Sequence, residues 1–156
     1  MPRGTRTYFN GDKYEGELQG EVRNGHGTYY FASGNKYEGN WKNDVQDGQG
    51  NFYWNDGNKY EGNFSKNKFH GKGTFYWNNG MKFEGTWDKN KKTGNGKLYF
   101  NNGNRYEGDW KNGMCSGKGT YYFNNGDKTV GNFEKNKATG SHTRNCANGQ
   151  VQTVIY

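Results

Sequence analysis

Aliphatic side chains are scarce in this chain. Only 28% of its residues are hydrophobic and 18% are aromatic, so rings carry most of the apolar surface. A compact domain built around one aliphatic core would be nearer half apolar. Proline occurs once, at Pro2. With no three-residue glycine period either, a collagen-like helix is excluded. Cysteine occurs twice, at Cys115 and Cys146, which is too few for a disulfide framework. That usage points to a reducing, cytoplasmic setting. No run approaches the roughly 18 apolar residues of a membrane-spanning helix. The start, Met1-Pro2-Arg3-Gly4-Thr5, has no apolar stretch of the signal-peptide kind.

What is present is glycine and rings: 27 Gly, 13 Tyr, 10 Phe and 5 Trp in 156 residues. That many rings argues against disorder despite the hydrophilic composition. That many glycines argues against long helices, since each interior Gly costs about 1 kcal/mol relative to Ala.

The glycines are in register. Tyr-Glu-Gly begins at Tyr14, Tyr37, Tyr60 and Tyr106, with Phe83-Glu84-Gly85 in the gap, and neighbouring starts lie 23 residues apart. A Gly-x-Gly pair begins at Gly25, Gly48, Gly71, Gly94 and Gly117 with the same spacing. Turn glycines stand at Gly11, Gly34, Gly57, Gly80, Gly103, Gly126 and Gly149. Four such columns hold 24 of the 27 glycines, with no insertion or deletion. Internal repetition of this length signals a stack of identical supersecondary units.

Each unit reads as a β-hairpin. In one of them, the β-rich runs 28–31 and 36–41 flank Ala32-Ser33-Gly34. Later copies carry Asn-Asp-Gly or Asn-Asn-Gly there, which suits a three-residue loop whose glycine takes the left-handed conformation. That loop sets Tyr29 opposite Tyr37 and puts Tyr29, Phe31, Tyr37, Gly39 and Trp41 on one face. The other face carries the Tyr30, Tyr53, Tyr76, Tyr99 and Tyr122 column beside Lys36, Lys59, Lys82, Arg105 and Lys128, followed by Glu38, Glu61, Glu84 and Glu107. Cross-strand Tyr–Lys packing and Lys–Glu pairing would stabilise a solvated face. A binding strip is the alternative reading of the same column.

The unit, seen in Tyr37-Glu38-Gly39-Asn40-Trp41, Gly71-Lys72-Gly73-Thr74 and Asn102-Gly103-Asn104-Arg105-Tyr106-Glu107-Gly108, resembles the MORN repeat (membrane occupation and recognition nexus). The resemblance covers nearly the whole chain. It implies an all-β fold, an elongated, twisted, single-layer antiparallel sheet of about seven stacked β-hairpins. They would form one domain over 1–156, with hairpins near 5–18, 28–41, 51–64, 74–87, 97–110, 120–133 and 143–156. It also implies a binding or scaffolding role, as in ciliary radial-spoke, cytoskeletal and membrane-junction proteins, and no catalysis by the repeat itself. The last units depart from the pattern: Thr129-Val130-Gly131 replaces Tyr-Glu-Gly, and His142 replaces a glycine.

No reactive constellation is visible. His26, His70 and His142 occupy different columns, and no Cys-x-x-Cys, His-Glu-x-x-His or nucleophile elbow occurs. The Gly-x-Gly pairs lack the third glycine and following helix of a phosphate cradle, and read as turn glycines. No cofactor, no metal and no enzymatic activity are expected.

Three surfaces remain as candidates. The first is an aromatic groove of Tyr37, Trp41, Tyr60, Phe64, Phe83, Trp87, Tyr106 and Trp110, suited to a partner helix or extended segment. The second is a basic edge. Residues 1–62 hold 7 basic and 9 acidic side chains, whereas 63–156 hold 15 and 6. The excess falls in the segments between hairpins, at Lys66, Lys68, Lys89, Lys91, Lys92, Lys135 and Lys137. Solubility is the bland account of these lysines; attraction to anionic phospholipid, about 1 kcal/mol per well-placed Lys, is the functional one. Nucleic acid is disfavoured because those segments carry only Phe69 for stacking. The third is the uncharged segment with Val151, Thr153, Val154, Ile155 and Tyr156, an edge strand able to pair with a second copy or a larger assembly. The sequence thus predicts a cytoplasmic scaffold or structural adaptor that binds protein, in a cytoskeletal or ciliary assembly. The alternative is a peripheral protein on anionic membrane.

Overall fold

The computed structural model describes residues 2–156. It contains fourteen strands in one open antiparallel sheet whose order follows the chain, and no helix among the described residues. The chain divides into two units, one ending at Asn78 and the other running Asn79–Tyr156. The first holds β1 (Arg3–Thr7), β2 (Lys13–Gln19), β3 (Val22–Tyr30), β4 (Lys36–Lys42), β5 (Val45–Tyr53), β6 (Lys59–Ser65) and β7 (Lys68–Tyr76). The second holds β8 (Lys82–Asp88), β9 (Lys91–Tyr99), β10 (Arg105–Lys111), β11 (Met114–Tyr122), β12 (Lys128–Glu134), β13 (Lys137–Asn145) and β14 (Val151–Ile155).

The expected loop and register are present. Tyr29 pairs with Tyr37, and the Gly34 amide donates to the Phe31 carbonyl at 2.9 Å with Gly34 at φ +96°. Asparagine does more here than tolerate a turn. The Asn55 amide donates to Asn35 Oδ1 at 2.8 Å, and Asn55 Nδ2 donates to the Ser33 carbonyl at 2.7 Å. Asn78 repeats both bonds on Asn58 and Asp56, and Asn124 repeats them on Asn104 and Asn102. Each of these three turns is therefore tied to the turn before it.

The segments between hairpins are not loops. Strands of nine residues run almost to the edge and reverse through two-residue turns, so the expected hairpins extend at both ends. In the Gly20-Glu21 turn only Gly20 has positive φ; in the other five both central residues do, as in Asn43 and Asp44 at 49° and 71°, Lys66 and Asn67 at 48° and 69°, and Lys135 and Asn136 at 48° and 70°. This is type I′ geometry, whose twist matches that of the flanking strands. The Gly-x-Gly pairs consequently lie within strands, which corrects their reading as turn glycines. Gly48, at φ +100°, sits where β4 and β5 slip register between Gly39 and Trp41. Gly50 lies under the Tyr37 ring, and a Cβ there would stand 2.4 Å from the Tyr37 hydroxyl oxygen. That hydroxyl donates to the Asn40 carbonyl at 2.7 Å and so pairs a backbone group freed by the bulge.

Candidate functional site

The ring face has a floor and a surface. Tyr37, Tyr60 and Phe83 are 0% exposed, Tyr106 2%, Phe64 4%, and Trp41, Trp87 and Trp110 5%. These are the eight residues of the expected groove. They pack edge-to-face on one another, Tyr37 between Trp41 at 5.1 Å and Phe64 at 5.0 Å, and Phe83 between Trp87 at 5.3 Å and Trp110 at 4.9 Å. Rings so arranged hold the sheet together and leave little of themselves for a partner.

A second file lies beside them. In the first unit the sequence Tyr29, Phe31, Phe52, Trp54, Phe75, Trp77 runs ring to ring at centroid distances of 4.7, 5.6, 4.5, 5.2 and 4.7 Å. From Phe31 onward every member is half-exposed. In the second unit Phe100, Tyr121 and Phe123 form the corresponding file at 5.7 and 4.9 Å. The sequence places these rings on the correct face. It does not show which column is covered, because that depends on the bulge turning the Tyr column down onto the glycines.

One column on this face does not repeat. Arg23, Gln46, Phe69, Lys92, Cys115 and Ala138 recur at the 23-residue spacing and stand beside the Trp column, opposite Leu18, Trp41, Phe64, Trp87, Trp110 and Phe133. Their chemistry sets what each stretch of the face offers. The Arg23 guanidinium lies 4.6 Å over Trp41 and 4.9 Å over Tyr29, and Nε pairs with Asp44 at 3.0 Å. With Gln46 and Phe52 it lines a cavity of about 380 Å³. Phe69 instead stacks on Tyr60 at 3.9 Å with only 10° between the planes. Lys92 points its ammonium over Phe83 and Trp110, both at 5.4 Å, and desolvation among those rings holds its pKa below the ordinary lysine value. Lys92 therefore belongs to the ring face and not to the basic edge. The type I′ turn moves it inside a strand, opposite Trp87. The signal for this column was in the sequence, as a fixed offset of five residues after Trp41 or its equivalent whose identity changes in every copy.

The remaining edge lysines are exposed. Lys66, Lys89 and Lys135 occupy the first positions of their turns, and Lys68, Lys91 and Lys137 begin the strands that follow. The opposite face is laddered: Lys36, Lys59 and Lys82 each stand 4.6 Å over Tyr53, Tyr76 and Tyr99, and Arg105 stands 3.9 Å over Tyr122. Lys59–Glu61, Lys82–Glu84 and Arg105–Glu107 pair at 2.7, 2.9 and 2.7 Å. That column is a solvated brace. In β14, Val151 and Ile155 are 66% and 73% exposed, Thr153 is also exposed, and Val154 is half-covered opposite His142; Tyr156, just beyond the strand, is exposed too. His26 and His70 are exposed, and His142 is buried. No cluster of metal-ligating side chains occurs among the described residues.

Fold and surface together define a β-repeat protein: an open sheet of hairpins, one face braced by ion pairs, the other covered in rings. The chain belongs to the MORN repeat family, whose profile matches five consecutive repeats at residues 14–36, 37–59, 60–82, 83–105 and 106–128. No curated protein matches it. Among solved structures it is similar to the SAS-4 (dCPAP) TCP domain of Drosophila melanogaster, solved in complex with a proline-rich motif of Ana2 (dSTIL). The TM-score is 0.64 at 13% identity, over 99% of this chain and 84% of that one. The CPAP G-box domain, whose report suggests a role in centriole elongation, gives a TM-score of 0.49 at 12% identity over 99% of both chains. At 13% identity the likeness to the SAS-4 TCP domain is one of fold.

Proposed function

We propose that the chain is a non-enzymatic scaffold that binds a partner protein along its half-exposed ring file, the partner lying on it as an extended segment. The observation that carries this is the unbroken contact from Tyr29 to Trp77, with Phe31, Phe52, Trp54, Phe75 and Trp77 all half-exposed. Aligned rings of this kind anchor partner side chains well and suit extended, proline-containing segments. The proline-rich motif held by the SAS-4 TCP domain, a protein of similar fold, supports an extended ligand. The family resemblance favours a cytoskeletal or ciliary assembly as the setting.

Affinity capture from native cells tests the proposal, comparing the wild type with a Trp54→Ser/Phe75→Ser variant. The wild type should recover a stable protein partner that the variant loses. Capture unaffected by the double substitution would sink the reading. A second reading, peripheral attachment to anionic phospholipid, rests on the six exposed lysines at and beside the type I′ turns. It requires flotation with acidic vesicles that is lost when Lys66, Lys68, Lys89, Lys91, Lys135 and Lys137 are changed to Gln. Flotation indifferent to lipid charge would remove it.

A further inference from the structure

The second unit has a socket in its ring face at the place where, in the first unit, Phe69 stacks on Tyr60. A cavity of about 280 Å³ is lined by Phe100, Tyr106, Cys115, Tyr121, Phe133 and Ala138, among others. It exists because three positions of the frame are small. Cys115 and Ala138 hold the column in which Phe69 stacks on Tyr60, and Thr129 holds the Tyr column itself. The ring that would cover Tyr106 in the manner of Phe69 is absent, and Cys115 stands there instead. Burial pushes the Cys115 thiol up to about 11, which makes it an inert apolar lining group at neutral pH.

The rim differs from the floor. Asn136, which also lines the cavity, is fixed by two bonds to β11: its Oδ1 accepts from the Cys115 amide at 2.8 Å, and its own amide donates to the Cys115 carbonyl at 3.2 Å. The exposed Lys135 precedes it in the turn. On the far side Arg144 lies 4.5 Å over Phe123 with its charge met by Asp127 at 2.7 Å, and Glu134 stands opposite Lys137 in the register of β12 and β13, so Lys135, in the turn, is the cation offered at the rim. The whole unit carries 12 basic and 6 acidic side chains. An apolar, ring-lined floor opening beside a lysine complements an apolar side chain next to a carboxylate.

We propose that this cavity anchors one apolar side chain, of proline or leucine size, from an extended partner segment whose neighbouring Asp or Glu residue meets Lys135. The inference rests on the protein-binding reading above and specifies the sequence that the second unit selects. A short pocket, closed beneath by Tyr106 and open to the ring file, fits a side chain on an extended backbone better than an acyl chain.

The probe is a phage-displayed library of random short peptides panned on the full chain, followed by titration of fluorescein-labelled winners. Peptides with an apolar residue next to Asp or Glu should be enriched. Their binding should weaken about tenfold or more in Cys115→Phe, which lays a ring on Tyr106 as Phe69 lies on Tyr60 and should leave the melting temperature unchanged. Ala138→Phe fills the same cavity from β13 and serves if Cys115→Phe folds poorly. Lys135→Gln should cost about threefold and weaken the salt dependence. Winners that bind both filled variants like wild type, yet are lost in Trp54→Ser/Phe75→Ser, would overturn the socket and leave the scaffold standing. A library with no winners would count against both. If phosphatidylserine vesicles then float with the wild type and not with Cys115→Phe, the cavity belongs to a lipid instead.

Discussion

At the residue scale, the ring over the paired glycines can be supplied from either strand. Tyr14, Tyr37, Tyr60 and Tyr106 each donate their hydroxyl to a backbone carbonyl three residues on, at 2.7, 2.7, 2.9 and 3.1 Å. Thr129 has no ring to offer. The facing strand brings in His142 where the frame has glycine; it is 1% exposed, and its Nε2 lies 2.8 Å from the Asn132 carbonyl, the frame equivalent of Asp109. Thr129→Tyr alone would collide with the imidazole, and His142→Gly alone would leave a void, each costing about 2–4 kcal/mol. The double variant restores the pattern of the other repeats and should recover most of the loss. Urea denaturation of the four proteins measures this coupling, and additive losses would refute it. Lys92 gives a second test through pH. Its folded pKa lies below the ordinary 10.5. Between the two values the unfolded chain holds the extra proton, so this lysine's contribution to stability rises with pH through that window and is complete above 10.5. Lys92→Met removes the effect. The stability of the wild type relative to Lys92→Met should therefore climb as the pH approaches 10.5 from below, and a flat difference would show that the ammonium is not desolvated.

At the element scale, the two kinds of turn were unequally legible. Asn-Asn-Gly announces its own geometry, because Asn and Gly are the residues that accept such backbone angles. Lys66-Asn67 and Lys135-Asn136 do not, since lysine is a poor residue for φ near +48°. The two-residue turn was hidden for that reason, and with it the nine-residue strands, the true place of the Gly-x-Gly pairs and the side on which Lys92 lies. What compensates the strain is the second turn residue: Asn67 and Asn136 each accept, through Oδ1, an amide of the preceding repeat at 2.8 Å. Lys66→Asn, Lys89→Asn and Lys135→Asn keep those bonds and ease the first position, so each should raise stability by about 0.5–1 kcal/mol. The triple variant should melt higher while carrying three fewer positive charges. Its melting temperature and its flotation with acidic vesicles can be read on the same sample. A lower melting temperature would mean that the lysine stems pack on the edge in a way the turn geometry does not require.

At the scale of the whole molecule, the fold was legible because it is repeated, and the candidate site was not because it is the part that varies. Six positions that share one place in the frame but no common residue, Arg23 to Ala138, decide what the ring face presents. The same division predicts what can be removed. Each hairpin pairs with its chain neighbours, and stability in such arrays approximates a sum of units and nearest-neighbour interfaces. Deleting residues 37–59 joins Lys36 to Tyr60 with the frame intact. Asn78 then meets Ser33 and Asn35 as Asn55 did, and Asn67 takes the place of Asp44 against Arg23, with loss of that one ion pair at 3.0 Å. The shortened chain should fold, give the same β-type circular dichroism per residue, and unfold with a denaturant slope lower by about 15%, in proportion to the chain removed. A deletion starting ten residues later removes the same length and leaves the same frame, so it should behave alike apart from the side chains exchanged. If either product aggregates or loses its cooperative transition, the repeats are not interchangeable, and the variable column contributes to folding as well as to what the surface can hold.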